Sequence, residues 1–330
     1  MTFKALILRP VAALITVFML IGVGVCTHEA YDVKDPACCQ LNFTVLSDVH
    51  VEGNNLPRYK VFARSLQDVG KNESGNDAIV FLGDSTMNGH HFENLLFHGA
   101  VHTLLRGETV LPVMGNHDIG NGSGDYETLQ NRWYDYTAAF FGRKLEHPYY
   151  YEVIDGCYFI VLGMESQEVH ELYISDAQME WLEKTLALAA ESGKPAFVFS
   201  HQPADYAVNA DGVEDGRLTD LFAAYNEEHD LFCFVGHTHM PMYLFWSFHT
   251  DDGFPETYLP RLTSLSGDDD VINEDSGIGV EVEVYEREVV IRARNFYSGE
   301  WRYDPVDETM CEVTYPLKTA LPAKSANSNG

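Results

Sequence analysis

Five short apolar runs in the sequence each end in residues that can bind a metal ion. Runs this apolar are typical of β-strands that are buried on both faces of a sheet. In open α/β sheets, ligands collect at the carboxyl ends of the strands. The sequence therefore predicts a sheet with a metal site at one edge. The five runs are LNFTVLSD (41–48), DAIVFLGD (77–84), TVLPVMGN (109–116), PAFVFSH (195–201) and LFCFVGH (231–237).

The segments between these runs have a helical pattern. The clearest is 175–191, where Ser175 and Gln178 have the spacing of a capping box and apolar residues mark one face. Strands that alternate with helices indicate an α/β fold. Four weaker helices are predicted at 57–69, 91–105, 125–140 and 215–229.

Two segments predict antiparallel hairpins instead. Residues 149–164 form one, with its turn at Asp155 and Gly156. Residues 277–296 alternate strictly between apolar and charged side chains, which predicts a hairpin with its charged face exposed to solvent. The sheets should therefore contain both parallel and antiparallel strands.

The polar residues at the strand ends form an ordered set. A single histidine or aspartate at a strand end is ordinary, but five successive ends of this kind favour a metal site. Imidazole, carboxylate and carboxamide groups without thiolate suit Mn, Fe, Zn or Ni. The seven candidate ligands are too many for one tetrahedral ion and suffice for two, if one carboxylate bridges. They are Asp48, His50, Asp84, Asn116, His201, His237 and His239.

This set resembles the calcineurin-like metallophosphoesterase family over residues 41–239. The resemblance implies an α/β fold of two mixed β-sheets packed as a sandwich with flanking helices. It also implies two divalent or transition metal ions. Carried over by motif, Asp48, His50 and His239 would bind the first metal and Asp84 would bridge. Asn116, His201 and His237 would bind the second metal, His117 would protonate the leaving group, and Asp118 would orient His117.

The function implied is hydrolysis of a small-molecule phosphomonoester or phosphodiester by attack of a metal-bound hydroxide. A non-catalytic metal-binding protein on the same fold is the alternative. One departure from the family concerns metal chemistry: purple acid phosphatases have a tyrosine three residues after the bridging aspartate, and this chain has Met87. A ferric-tyrosinate centre is therefore not expected.

The ends of the chain carry different signals. Lys4 and Arg9 precede the uncharged run 10–25, which predicts a signal peptide or signal anchor over residues 1–26 and a body that is secreted or extracytoplasmic, free or membrane-anchored. Residues 27–40 are expected to be a linker, 41–317 the phosphoesterase domain and 318–330 a disordered tail. No membrane contact is expected beyond the N-terminal segment.

The net charge and the cysteines indicate which binding partners and which disulfide bonds to expect. With 21 basic and 50 acidic residues, the formal net charge is −29, and binding of nucleic acid is not expected because like charges repel. The oxidising compartment allows Cys38 or Cys39 to pair with Cys311, although the sequence leaves the pairing open.

Overall fold

The computed structural model describes residues 3–167, 169–267 and 270–323. All five apolar runs contain a strand, and both predicted hairpins form. The strands are β1 (Leu41–Leu46), β2 (Ala78–Leu82), β3 (Val110–Val113), β4 (Tyr150–Ile154), β5 (Cys157–Val161), β6 (Leu172–Tyr173), β7 (Ala196–Ser200), β8 (Ala207–Val208), β9 (Leu231–Val235), β10 (Phe248–His249), β11 (Glu256–Tyr258), β12 (Leu265–Ser266), β13 (Val271–Ile272), β14 (Ile278–Val284), β15 (Glu288–Asn295), β16 (Glu300–Trp301) and β17 (Glu312–Pro316).

The helices agree with the sequence pattern to within a few residues at each end. Ser175 caps its helix as expected, because its side chain accepts a hydrogen bond from the Gln178 amide. The α-helices are α1 (Phe3–Val23), α2 (Leu56–Val69), α3 (His91–Leu104), α4 (Tyr126–Phe141), α5 (Asp176–Ser192), α6 (Arg217–Glu228) and α7 (Leu244–Ser247), and short 3-10 helices cover His117–Ile119 and Ala204–Tyr206.

Two mixed sheets form the centre of the described chain. The first has the order β16-β15-β14-β1-β2-β3, with β17 paired to β15, and the second has the order β10-β11-β9-β7-β5-β4. In the first sheet β1, β2 and β3 are parallel, and in the second β5, β7, β9 and β11 are parallel. The parallel strands of each sheet therefore bring their carboxyl ends to one edge.

The sheets pack face to face through aromatic side chains, which confirms the predicted sandwich. Phe43 of β1 lies 4.9 Å from both Phe159 and Phe197 of the second sheet, measured between ring centroids. All three rings are fully buried, and burial of each such side chain contributes about 1.5–3 kcal/mol. Helices α2 and α3 cover the outer face of the first sheet, while α5 and α6 cover that of the second.

The charged face of the β14–β15 hairpin is buried, so the prediction that it is exposed was wrong. The carboxylate of Glu283 pairs with Arg292, and Asp68 of α2 accepts a hydrogen bond of 2.8 Å from Arg294 Nε. Glu281 accepts a 2.7 Å hydrogen bond from the Tyr31 hydroxyl. Each charge thus has a partner, as burial requires.

Residues 27–40 cover this face instead of forming a free linker. Tyr31, Val33 and Cys39 are buried, and the Arg294 guanidinium lies 3.8 Å from the centre of the Tyr31 ring. The tail is also partly ordered, because Leu321 is buried in the main core and its amide donates to Glu286. The expectation of disorder is therefore wrong for 318–323, and 324–330 lie outside the described residues.

The N-terminal helix packs onto the domain. Helix α1 packs against α3, where Ala12 lies against Gly99, and Arg9 donates hydrogen bonds to the carbonyl groups of Ala139 and Phe140. Its segment 5–23 is long and apolar enough to cross a membrane.

All six cysteines are free, so neither Cys38 nor Cys39 pairs with Cys311, which is buried in the core.

We predict that Glu281→Gln makes stability less dependent on pH. Burial raises the pKa of Glu281 to about 7, with hydrogen bonds from Tyr31 and Thr44 opposing the rise. Because the folded pKa lies above the unfolded value of about 4.5, the wild type loses stability as the pH rises through that interval, by on the order of 3 kcal/mol. The variant lacks this loss. Its free energy of unfolding relative to wild type should rise by that amount between pH 5 and pH 8.

The measurement is urea unfolding at both pH values. Glu286→Gln, at an exposed position in the turn between β14 and β15, is the control and should show no such change. A difference between wild type and Glu281→Gln that is independent of pH contradicts the prediction.

Candidate metal centre

The loops that follow the strands turn sharply at the candidate ligands. Five of these residues have positive φ angles, between 46° and 63°, although none is glycine. Left-handed backbone costs an L-residue roughly 1–2 kcal/mol, and strain of this kind concentrates at functional sites. The strained residues are Asp48, His50, Asp84, His237 and His239.

Glycines next to the ligands allow the loops to approach each other. A Cβ atom on Gly115 would overlap the backbone and carboxylate of Asp84, and one on Gly236 would overlap the side chains of Ser47 and Asp48. The glycines of GNHD and GHTH are therefore required by contacts between different loops, which brings the strand ends together.

The structure brings a first group of four side chains together around Asp48. Its Oδ1 atom lies 2.9 Å from His239 Nε2 and 3.5 Å from His50 Nε2. The two imidazole Nε2 atoms are 3.0 Å apart, and Asp84 Oδ2 lies 3.6 Å from His50 Nε2. These ligand atoms lie close enough together to hold a metal ion.

A second group forms around the other oxygen of Asp84. Asp84 Oδ1 lies 3.3 Å from His201 Nε2, and Asn116 Oδ1 lies 3.0 Å from the same nitrogen. His237 Nδ1 is 3.1 Å from Asn116 Oδ1 and 3.3 Å from His201 Nε2. All seven candidate ligands thus lie in two adjoining groups, and Asp84 has one carboxylate oxygen toward each.

The atoms of the second group need a cation between them. His201 Nδ1 donates a 2.7 Å hydrogen bond to the Leu82 carbonyl, which turns its Nε2 atom toward the oxygen atoms of Asp84 and Asn116. Either a proton on Nε2 or a metal ion must therefore lie between these atoms. Separations near 3 Å match ligand atoms that share a metal at bond lengths of about 2.0–2.2 Å. The residues present therefore fit a metal ion.

The protonation states of the ligand side chains also suit the binding of a metal ion. Burial would raise the pKa of Asp84, but the charge of His201, its hydrogen bond and the charge of His50 together lower it to about 2, so the carboxylate is ionised. Burial would lower the pKa of His201, but the charge of Asp84, its hydrogen bond and the charge of Asp48 together raise it to about 9. A metal ion takes the place of that proton when it binds. Burial lowers the pKa values of His50 and His237 to about 4, which keeps both rings neutral.

His117 lies beside the two groups without joining them. Its Nδ1 atom donates a 2.7 Å hydrogen bond to the Met87 carbonyl, and its Nε2 atom lies 4.0 Å from Asp84 Oδ2. The side chain is 20% exposed, so Nε2 is accessible from solvent as well as from the centre. The ring can therefore exchange a proton at Nε2.

Asp118 does not orient His117, so that expectation was wrong. Its carboxylate accepts hydrogen bonds from the amides of Ser85, Thr86 and Gly115, which holds the Asp84 loop against the Asn116 loop. Burial raises the pKa of Asp118 to about 7. The orienting acceptor for His117 is the Met87 carbonyl, which a motif of side chains does not reveal.

Asn121 is a supporting residue that sequence reasoning missed. Its Oδ1 atom accepts a 2.9 Å hydrogen bond from Asn116 Nδ2, and its amide donates a 2.7 Å bond to the Asn116 carbonyl. These contacts turn Asn116 Oδ1 toward His201 and His237. In the sequence, this role is indicated only by an asparagine within a glycine-rich loop. In the structure, Asn121 has a φ angle of 49°. Ser47 similarly supports Asp48, through a 2.5 Å hydrogen bond from its hydroxyl to Oδ2.

Comparison with known proteins agrees with this geometry. Residues 41–241 match the family model of the calcineurin-like phosphoesterases. The chain is 25% identical over 216 residues to a probable glycerophosphodiester phosphodiesterase GpdQ of Arcobacter nitrofigilis, which covers 61% of this chain and 73% of that protein. A dimetal phosphatase from Danio rerio is similar in fold, with a TM-score of 0.55 at 17% identity, over 86% of this chain and 100% of that one.

We predict that Asn121→Gly weakens metal binding at one of two sites. The change removes the acceptor that holds Asn116 and leaves the left-handed backbone unstrained. Loss of such a supporting contact reduces metal affinity by about 10- to 100-fold. Calorimetric titration of the metal-free protein with Mn²⁺ should show one weakened site and one unchanged site.

Ser123→Gly adds backbone freedom to the same loop at an exposed side chain and is the matched control. Equal affinities in Asn121→Gly and wild type would show that Asn116 does not depend on Asn121.

Proposed function

Because the chain belongs to the calcineurin-like phosphoesterase family and is a metal-dependent phosphoric ester hydrolase, we propose that it is an exported enzyme with two metal ions. Its substrates are small phosphomonoesters or phosphodiesters. The observation that carries the proposal is the pair of ligand groups that share Asp84. Family membership sets aside the alternative of a non-catalytic metal-binding protein.

The ligands divide between the two ions according to the two groups. Asp48, His50 and His239 would hold the first ion, and Asp84 would be shared with the second. Asn116, His201 and His237 would hold the second ion. In support, each of these side chains contacts members of its own group at 2.9–3.5 Å. The absence of thiolate ligands favours Mn, Fe, Zn or Ni.

The metal ions and the side chains of the protein would contribute different parts of the reaction. Two bound cations supply a hydroxide nucleophile near neutral pH and neutralise phosphoryl charge. His117 donates the proton that the leaving oxygen needs, from Nε2, and the Met87 carbonyl holds the ring in the tautomer with a proton on Nδ1. Asp118 maintains the spacing between the Asp84 and Asn116 loops. His239 is 36% exposed, so substrate enters from its side of the centre.

The N-terminal helix supports export. Residues 5–23 are apolar over a length that can span a membrane, and two basic residues lie near the start of the chain. We propose that residues 1–26 act as a signal peptide or anchor and that the domain 41–317 lies outside the cytosol.

The central test is turnover of p-nitrophenyl phosphate and bis(p-nitrophenyl) phosphate with Mn²⁺. We expect hydrolysis of at least one ester, and Asp84→Asn should remove most of the activity together with bound metal, because one oxygen faces each ion. Elemental analysis measures the second effect. If neither ester turns over and Asp84→Asn retains its metal, the proposed function is wrong.

A second prediction concerns His117. His117→Gln should retain metal but lose about 10²–10⁴-fold in kcat on glycerol phosphate, whose alkoxide leaving group needs a proton. The loss on p-nitrophenyl phosphate should be much smaller, since p-nitrophenolate leaves without one. His147→Gln, at an exposed histidine, is the control. Equal losses on both esters would show that His117 positions the substrate instead.

A further inference from the structure

Two arginines lie beside the metal centre. Arg261 is adjacent to Leu262, whose amide donates a 2.9 Å hydrogen bond to the Ser47 carbonyl, so the arginine lies along the loop that carries Asp48. Arg58 belongs to the first turns of α2, and its Nη1 atom lies 3.9 Å from Met87 Sδ. The charge of Arg261 acts on His50 of the centre and on Arg58, so two different segments bring positive charge close to the ligand groups.

Neither guanidinium is fully satisfied by the described residues. Arg261 Nε and Nη2 are buried without a hydrogen-bond partner, and no described carboxylate lies within 4.0 Å of the group. Arg58 Nε is also unpartnered, and Glu52 lies at the 4.0 Å limit from its Nη1 atom. Buried N–H groups of a cation are costly to leave unpaired.

Other buried arginines of the chain have carboxylate partners. Arg292 pairs with Glu283, and Arg294 with Asp68. With 50 acidic residues against 21 basic ones, a partner for every guanidinium is readily available. Four other described arginines also leave Nε without a partner, whereas Arg261 leaves two nitrogen atoms unpartnered, and its neighbour Arg58 leaves one. Arg261 is therefore the described arginine with the most N–H capacity left for a ligand.

The charges around Arg261 change when the centre is filled. Burial lowers the pKa of Arg261 to about 10, with Arg58 adding to the decrease, so the group stays protonated at neutral pH. Asp48, Asp84 and Asp270 attract it at longer range. Asn55, which caps α2, holds Asp270 through a 2.7 Å hydrogen bond. Cations held by Asp48 and Asp84 would offset those two charges, and the arginine pair would then lack nearby negative charge from them.

We propose that Arg58 and Arg261 form a subsite for a second phosphate group, carried by the leaving group of the substrate. Arg58 contacts Met87, whose carbonyl orients the proposed proton donor His117, and this contact places the subsite on the leaving-group side. Two guanidinium groups match a phosphate in charge and in hydrogen-bond geometry. The substrate class is an organic pyrophosphate, and the inference rests on the proposed function.

The reaction on such a substrate is a hydrolysis that consumes one water. A bond forms between the water oxygen and the terminal phosphorus, and the bond from that phosphorus to the bridging oxygen breaks. The electron pair stays on the bridging oxygen, which leaves as part of a phosphomonoester. The arginine pair holds the phosphate of that product and stabilises its added charge.

The test compares two substrates in the Mn²⁺-loaded full chain. Uridine 5′-diphosphate has a phosphorylated leaving group, and bis(p-nitrophenyl) phosphate has none. For Arg261→Gln and Arg58→Gln, the ratio of kcat/KM for the first substrate to that for the second should fall by about 10- to 100-fold, as expected for lost charge-assisted hydrogen bonds. Arg261→Lys should recover part of the loss, because it retains the charge without the planar fork.

Arg106→Gln, at an exposed arginine that follows α3, is the control and should leave the ratio unchanged. Thermal unfolding of each variant establishes that it is folded. An unchanged ratio in both arginine variants overturns the inference, as does a wild type that hydrolyses the diester but not uridine 5′-diphosphate. Wild type without activity on any of the esters would instead overturn the proposed function.

Discussion

Many lone pairs of oxygen and nitrogen atoms converge around Asp84, and the loops at this edge of the sheets are arranged to hold them there. One carboxylate oxygen faces His50, and the other faces His201. Because oxygen and nitrogen acceptors cannot satisfy each other, the arrangement requires positive charge in the gaps. A proton on His201 supplies it in one state, and metal ions supply it in another. The geometry is therefore prepared for cations before they bind.

The fold places these atoms by combining regular strands with irregular loops. Parallel strands deliver the loops to one edge, and residues in the left-handed conformation then turn the side chains inward. The cost of this backbone is offset by contacts between loops. The His50 amide donates to the Asp84 carbonyl at 2.8 Å, and the His237 amide donates to Asp48 Oδ2 at 3.0 Å. Neighbouring ligand loops thus stabilise one another.

The fold was largely predictable because apolar runs and helical periods depend on neighbouring residues. The charged face of β14 and β15 was not, because alternation shows only that one face is polar. Glu283 and Arg292 form an ion pair, and each also bonds the backbone of residues 27–40, which cover them. Leu321 likewise lies in the core although the surrounding sequence is polar. What covers a surface is decided by segments distant in the chain.

The site, like the fold, has features that the sequence predicts and features that depend on contacts between distant segments. The residues that gather at the site could be predicted from the sequence, because each candidate ligand lies within a few residues of a strand end and parallel strands share an edge. How these residues are supported depends on the packed structure. It replaced Asp118 with the Met87 carbonyl as the partner of His117, added Asn121 behind Asn116, and brought Arg58 and Arg261 alongside. Backbone acceptors and contacts between distant segments leave no pattern in the sequence, since they depend on where each loop lies once the sheets have packed.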